Sequence, residues 1–265
     1  INHDMRAILV DWLVEVSDEY RMAPDTLHLT INLIDRFLSH NLIEKQKLQL
    51  VGVTCMLIAS KYEEIYAPSV EEFCFITDNT YTKDEVCHSL VVKMESRVLN
   101  CLSFHLSVPT TKKFLSRSSW VVSANIPYYL LCFEKFHSYV HRRFIHAAQV
   151  SYEAPLAELE FLANYLAELT LQEYSFLKFL PSQIAASAVF LARWTLDQSN
   201  HPWNSTLEHY TRYKTTELKN AVSELQELQL NTRGCLLKAI REKYKQPKFK
   251  CVSTLCSSRQ VQSLF

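Results

Sequence analysis

The sequence predicts an all-α fold, and three observations carry that prediction. Glycine occurs only twice, at Gly52 and Gly234. Tight hairpins and phosphate-cradling loops both rely on glycine, which sets aside an all-β fold and a P-loop or dinucleotide site. Proline at 24, 68, 109, 127, 155, 181, 202 and 247 divides the chain into segments, most of them with helical periodicity. The two halves are also weakly self-similar. Thr26 to Asn41 and Leu156 to Leu171 each read as a two-sided apolar helix. Each is followed by a long apolar helix rich in small residues, containing Val51–Ser60 and Ile184–Ala192 respectively. Small side chains let helices approach closely, so these two segments read as the central members of two similar bundles.

In chain order the first helix, near 3–21, contains Met5–Val16, which is apolar nearly all the way round and so belongs inside a helical domain. Arg6 lies in its first turns, and a buried guanidinium keeps its charge and needs a carboxylate. Asp35, in the next apolar helix near 25–40, can supply it, and such a pair fixes how two helices cross. Asp25 and Thr26 after Pro24 mark the start of that second helix. Helices near 47–64, 69–77 and 82–101 complete the first half, with Thr82 and Glu85 in a capping-box pattern. A second set falls near 110–117, 155–171, 181–197, 204–210, 214–231 and 234–245.

At 265 residues the chain has room for one large domain or two ordinary ones, and 48% apolar residues suffice for a substantial core. Lys plus Arg and Asp plus Glu are 28 each, so no net field attracts nucleic acid. The eight cysteines form no Cys-x-x-Cys pair, and most sit in apolar helical runs, as Cys55 does. That is how small buried hydrophobes behave in a reducing compartment. No apolar run reaches the ~18 residues a bilayer requires, and no secretory signal opens the chain. The first residue is Ile1 rather than Met, which reads as a piece of something longer.

Several motifs, in order, carry a family resemblance: Met5–Val16, Leu33–Leu38, Leu48–Gly52, Ser60–Tyr66, Ile76–Tyr81, Phe104–Leu106, Leu180–Ser182 and Arg241–Lys245. These resemble the cyclin box over nearly the whole chain, and most closely that of mitotic-type cyclins, the A class ahead of the B class. The resemblance implies two tandem five-helix repeats: an N-terminal box over 1–108, a C-terminal box over 109–246, then a tail over 247–265. By the same resemblance Lys61 and Glu95 match the pair that clamps a cyclin-dependent kinase's regulatory helix. Ile58, Tyr62, Leu99, Phe104 and Leu106 would form the apolar floor around them. The family often has Leu where Ile58 stands and Phe where Tyr62 stands.

Met5, Ile8, Leu9 and Trp12 form one helical stripe, which periodicity alone would assign to the core. The resemblance implies that part of it stays open as a shallow groove, with Leu48 and Gln49 beside it. Such a groove suits Arg-x-Leu segments of substrates and inhibitors, with Glu15 pairing with the arginine.

Two stretches depart from the family. The segment containing Val86–Lys93 is about five or six residues longer than usual, and with 3.6 residues per turn it would rotate everything upstream relative to Glu95 unless it bulges out. Residues 118–142 are a larger, aromatic-rich excess that includes Trp120, Tyr128, Tyr129, Phe133, Phe136 and Tyr139. Both read as gene-model or splicing excess, the alternative being genuine elaborations, and the first helix of the second repeat is the element most affected.

Catalytic chemistry finds no support. His137, His141 and His146 stand at spacings a metal could use, but only Glu134 and Cys132 adjoin them, and the segment reads as a basic stretch beside Arg142 and Arg143. His3-Asp4 recurs in metal-dependent phosphohydrolases, but the other ligands are missing. Glu63-Glu64 and Glu71-Glu72 are adjacent on helices and diverge by roughly 100°, so neither is an acid/base pair. No catalytic residue, metal or cofactor is expected.

The expected function is that of an activating subunit of a cyclin-dependent protein kinase in S phase and at G2/M, recruiting Arg-x-Leu partners, nuclear and cytoplasmic, without nucleic acid or membrane partners. The alternatives are a cyclin-fold transcription-factor-like scaffold and a kinase-incompetent paralogue. The run Lys243–Lys250 could serve nuclear import or be a solvated helix end.

Overall fold

The structure is a computed structural model that describes residues 1–76, 84–115, 156–232, 234–257 and 259–265. All regular elements among these residues are helical, as the sequence predicts. They fall into two compact units, Ile1–Thr110 and Thr111–Phe265. The aromatic-rich stretch 118–142, the histidines at 137, 141 and 146, and Thr82 all lie outside the described residues.

The first unit contains helices α1 (His3–Glu19), α2 (Pro24–His40), α3 (Leu48–Glu63), α4 (Val70–Ile76) and α5 (Asp84–Cys101). At the start of α1 the Asn2 side chain accepts from the Met5 N–H at 2.9 Å, and Asp4 lies in the positive first turn. Helix α2 begins at Pro24, one residue before the predicted start, because proline's fixed φ suits the first helical position. Helix α3 is buried on every side from Leu50 to Ser60, so it is the central member, and α1, α2 and α5 pack around it. Gly52 makes the α1 contact possible: a Cβ there would meet Leu9 Cδ1 at 2.8 Å. Helix α4 opens with a capping box, since Glu72 Oε2 accepts from the Ser69 N–H at 2.7 Å and Ser69 Oγ accepts from the Glu72 N–H.

Helix α5 runs without interruption from Asp84, so the extra residues of the first departure are helical and do not bulge out. Its buried stripe, Val91, Met94 and Val98, is continued by Leu102 just beyond the last turn. Arg97 fastens the helix to α2, lying over the Phe37 ring and donating to Asn41 Oδ1.

The second unit contains α6 (Thr111–Leu115), α7 (Leu156–Gln172), α8 (Pro181–Leu196), α9 (Ser205–Thr211), α10 (Thr215–Leu230) and α11 (Ala239–Lys245). Its central helix is α8, buried from Ile184 to Trp194 and packed against α6, α7 and α10. Helix α11 starts five residues later than predicted. Asn231 and Gly234 both take left-handed backbone, and Asn231 Oδ1 accepts from the Cys235 N–H, which keeps both residues out of the helix.

Two features correct the sequence reading of the C-terminal region. Lys243 is not part of a solvated helix end. It is buried, donating to Glu168 Oε2 at 2.8 Å, while the Tyr244 hydroxyl donates to Glu168 Oε1 at 2.7 Å. Within 247–265, read as a tail, Pro247–Phe249, Val252–Thr254 and Val261–Leu264 are 3-10 turns, and described residues of the stretch pack on the unit. Val252 and Val261 are fully buried, and Phe265 stacks on Phe190 with ring centroids 5.4 Å apart. Buried Gln226 donates to Ser257 Oγ and the Arg259 carbonyl, and accepts from the Val261 N–H.

Candidate functional site

Among the described free cysteines only Cys55 is buried; Cys235 and Cys256 are exposed, and Cys101 and Cys251 are intermediate. The expectation that most cysteines are core residues is therefore corrected. Burial pushes the Cys55 thiol up, and the nearby Asp35 carboxylate adds to the effect. Cys55 is accordingly a protonated core residue and a poor nucleophile.

The charged surface pair forms where α3 leaves the core. Lys61 is in the last turn of α3, and its Nζ donates to Glu95 Oε1, on α5, at 2.7 Å. The Lys61 side chain is about half exposed and that of Glu95 is mostly covered, at 48% and 17%. One of three ammonium donors is thus used, leaving Lys61 capacity for further acceptors. Of the expected apolar floor, Tyr62 and Phe104 are exposed, Leu99 and Leu106 are half-buried, and Ile58 is buried in the core.

The aromatic ring of Phe104 is held out by unusual backbone. Ser103 and Phe104 both adopt positive φ, 49° and 57°, which is costly for a bulky residue. The turn is closed by the Phe104 N–H donating to the Leu99 carbonyl at 2.9 Å, and is gripped from outside by Arg36 Nη1 donating to the His105 carbonyl at 2.8 Å. Arg36 was not among the candidate residues. Its place beside Asp35 on α2 was visible, but its backbone target lies 69 positions away.

The α1 stripe divides between inside and outside. Ile8 is 59% exposed, Met5, Trp12 and Gln49 are half-buried, and Glu15 is exposed. Leu9 and Leu48 are buried, Leu9 against Gly52, and contribute only their edges to a surface. Beneath, Arg6 meets Asp35 through two parallel bonds, Nε to Oδ1 at 2.6 Å and Nη2 to Oδ2 at 2.8 Å, tying α1 to α2. No group of His, Cys, Asp and Glu fit to hold a metal occurs among the described residues. No described helix is long and apolar enough to cross a membrane.

Two helical bundles follow one another along the chain, each wrapped around one buried helix, and the first leaves a charged pair and aromatic side chains at its surface. Residues 1–107 match the cyclin N-terminal domain and residues 131–258 the cyclin C-terminal domain. The chain belongs to the cyclin family. It is 62% identical over 265 residues to Cyclin-A2-2 of Arabidopsis thaliana, covering all of this chain and 54% of that protein. It is also 62% identical over 265 residues to Cyclin-A2-1 of Oryza sativa subsp. japonica, covering all of this chain and 48% of that protein. These relatives are A-type cyclins, and the chain spans about half the length of the curated relatives it matches. The X-ray structure of a viral cyclin from herpesvirus saimiri superposes with a TM-score of 0.65 at 18% identity, covering 86% of this chain and 85% of that one, a likeness of fold.

Proposed function

We propose that this chain is a non-catalytic activating subunit of a cyclin-dependent protein kinase, acting in cell-cycle progression through S phase and G2/M, in nucleus and cytoplasm. The observation that carries the reading is the half-exposed Lys61, bonded to Glu95 at 2.7 Å and followed directly by exposed Tyr62, in the same unit that leaves Phe104 exposed just beyond α5. An ammonium with donors to spare and a carboxylate with a second oxygen can bond the backbone carbonyls and N–H groups of a partner's helix. Recognition then depends on where that helix sits rather than on its side chains.

An active kinase needs its regulatory helix inward, so that a Lys–Glu pair within the kinase can form. A stiff surface that fits only the inward helix shifts the population toward the active state. Moving it from 1:99 to 99:1 requires ~5.5 kcal/mol of differential binding. The test is capture of a cyclin-dependent kinase by this chain, coupled to a phosphotransfer assay. Lys61→Ala and Glu95→Ala are each expected to weaken capture by about thirtyfold or more, as central interface residues do. No capture by the wild-type chain would leave the kinase-incompetent reading. The transcription-factor-like alternative is disfavoured by the equal numbers of acidic and basic residues.

A second surface is favoured by a separate observation, the exposure of Ile8 between half-buried Met5 and Trp12 on α1, with Glu15 exposed one turn beyond Trp12. We read it as a groove for Arg-x-Leu segments. Substituting Met5, Leu9 and Trp12 together should weaken capture of such a peptide and spare kinase assembly; unchanged peptide affinity would refute the groove.

A further inference from the structure

Helix α2 lacks a cap of its own. Its N-cap residue is Ala23, which has no side-chain acceptor, and Pro24 follows at the first helical position. The missing acceptor comes from far along the chain. Glu64 Oε1 accepts from the Ala23 N–H at 2.7 Å and also from the Thr26 hydroxyl. The first is the N–H that the glutamate of a capping box takes, whereas the second is a side-chain hydroxyl, the Thr26 N–H itself donating to the Ala23 carbonyl; the carboxylate is 41 and 38 residues distant in sequence. Its negative charge also sits at the positive end of α2.

Glu64 is equally the terminus of α3. It is the C-cap residue, its N–H donates to the Ser60 carbonyl at 2.9 Å, and its own backbone is already extended, φ −91° and ψ 148°. Beyond it the chain runs into Ile65 and Tyr66, both about nine-tenths exposed, at 91% and 92%. One carboxylate thus joins the start of α2 to the end of α3, three positions after Lys61. Helix termini fray because their last carbonyls lack partners, and fraying over one turn would carry Lys61 away from Glu95.

We propose that Glu64 is a positioning residue for the Lys61–Glu95 pair: by clasping the start of α2 it keeps the last turn of α3 wound, so that Lys61 is held in register before any partner arrives. The inference rests on the kinase-docking reading for its functional consequence. Its structural half, the winding of the α3 terminus, can be measured without a kinase.

Four proteins separate the possibilities: the wild-type chain, Glu64→Ala, Glu64→Gln, and Glu64→Ala combined with Ala23→Ser. The serine gives α2 a local cap, since Ala23 already has the extended backbone, φ −61° and ψ 142°, that a capping residue adopts. The readouts are thermal midpoint, amide hydrogen exchange across residues 61–64, and affinity for a cyclin-dependent kinase. In Glu64→Ala the exchange of these amides is expected to accelerate and the kinase to bind about five- to tenfold more weakly, the scale of one lost cap. In the double variant the midpoint should recover while exchange and affinity do not, because α2 is capped but α3 is still untethered. Glu64→Gln, which retains the acceptor oxygen, should recover part of both and should fold even if the alanine variant does not.

The proposal is overturned if exchange at 61–64 is unchanged in Glu64→Ala and Glu64→Gln, or if Ala23→Ser restores all three readouts, which would reduce Glu64 to a cap for α2. If the wild-type chain captures no kinase, the docking reading fails on its own, and the exchange pattern still decides whether Glu64 holds the α3 terminus.

Discussion

Arg6 and Asp35 allow a quantitative test of how the first unit is registered. Arg6 is 4% exposed and makes two charge-assisted bonds to Asp35, whose side chain is 18% exposed. Replacing Arg6 by methionine keeps most of the stem's volume but leaves a covered carboxylate without its counter-charge. Breaking a buried pair in this way costs about 3–5 kcal/mol, and the residual exposure of Asp35 places the expectation near the lower end, about 3 kcal/mol. Replacing Asp35 by leucine alone should cost a similar amount, because the guanidinium cannot shed its charge. The double change Arg6→Met with Asp35→Leu removes both charges together, and its cost should fall to about 1 kcal/mol or less, since a packed apolar pair can match a buried ionic one. Urea unfolding of the four proteins followed by circular dichroism gives the cycle, with amide exchange in α1 and α2 assigning the loss to the first unit. Additive single costs, or an Arg6→Met cost below about 0.5 kcal/mol, would refute the claim that the pair acts as a buried unit.

Three further outcomes follow from the geometry. Arg36→Ala frees the His105 carbonyl and should let the positive-φ pair at Ser103 and Phe104 relax; stability is expected to fall by about 1–2 kcal/mol, read by thermal unfolding, together with weaker kinase capture. Gln226→Ala removes the buried amide that serves Ser257, Arg259 and Val261, so the second unit should lose about 1–3 kcal/mol and exchange at the Val261 amide should accelerate. Cys235 and Cys256 should react with a thiol reagent in the native state, whereas Cys55, raised by burial and by Asp35, should react only on unfolding; rapid native labelling of Cys55 in a mass-spectrometric assay would contradict the fold.

How far the site could be read from sequence depended on whether a residue's partner was local. Glu64 stood in plain view beside Glu63, but adjacency on a helix says only that the two side chains diverge; the acceptor role needed the start of α2 brought alongside. Ile8 and Leu9 are adjacent and similarly apolar, and nothing in their chemistry says which one faces out. The close approach of α1 to α3 at Gly52 takes Leu9 inward and leaves Ile8 at the surface. Lys243 lies in a run of basic residues that looks solvated, because the buried carboxylate that claims it is Glu168, 75 positions earlier.

By itself the sequence determined the helices, the two central members and the need of Arg6 for a carboxylate, because periodicity and the cost of an unpaired buried charge act on residue types wherever they lie. Tertiary structure decided which polar groups meet: Glu64 with the start of α2, Arg36 with the turn that presents Phe104, Gln226 with residues 257–261. A hydrogen bond is made only within about 3 Å and in a narrow range of directions, so its partners are set by how helices cross in space and leave almost no mark on the order of residues along the chain.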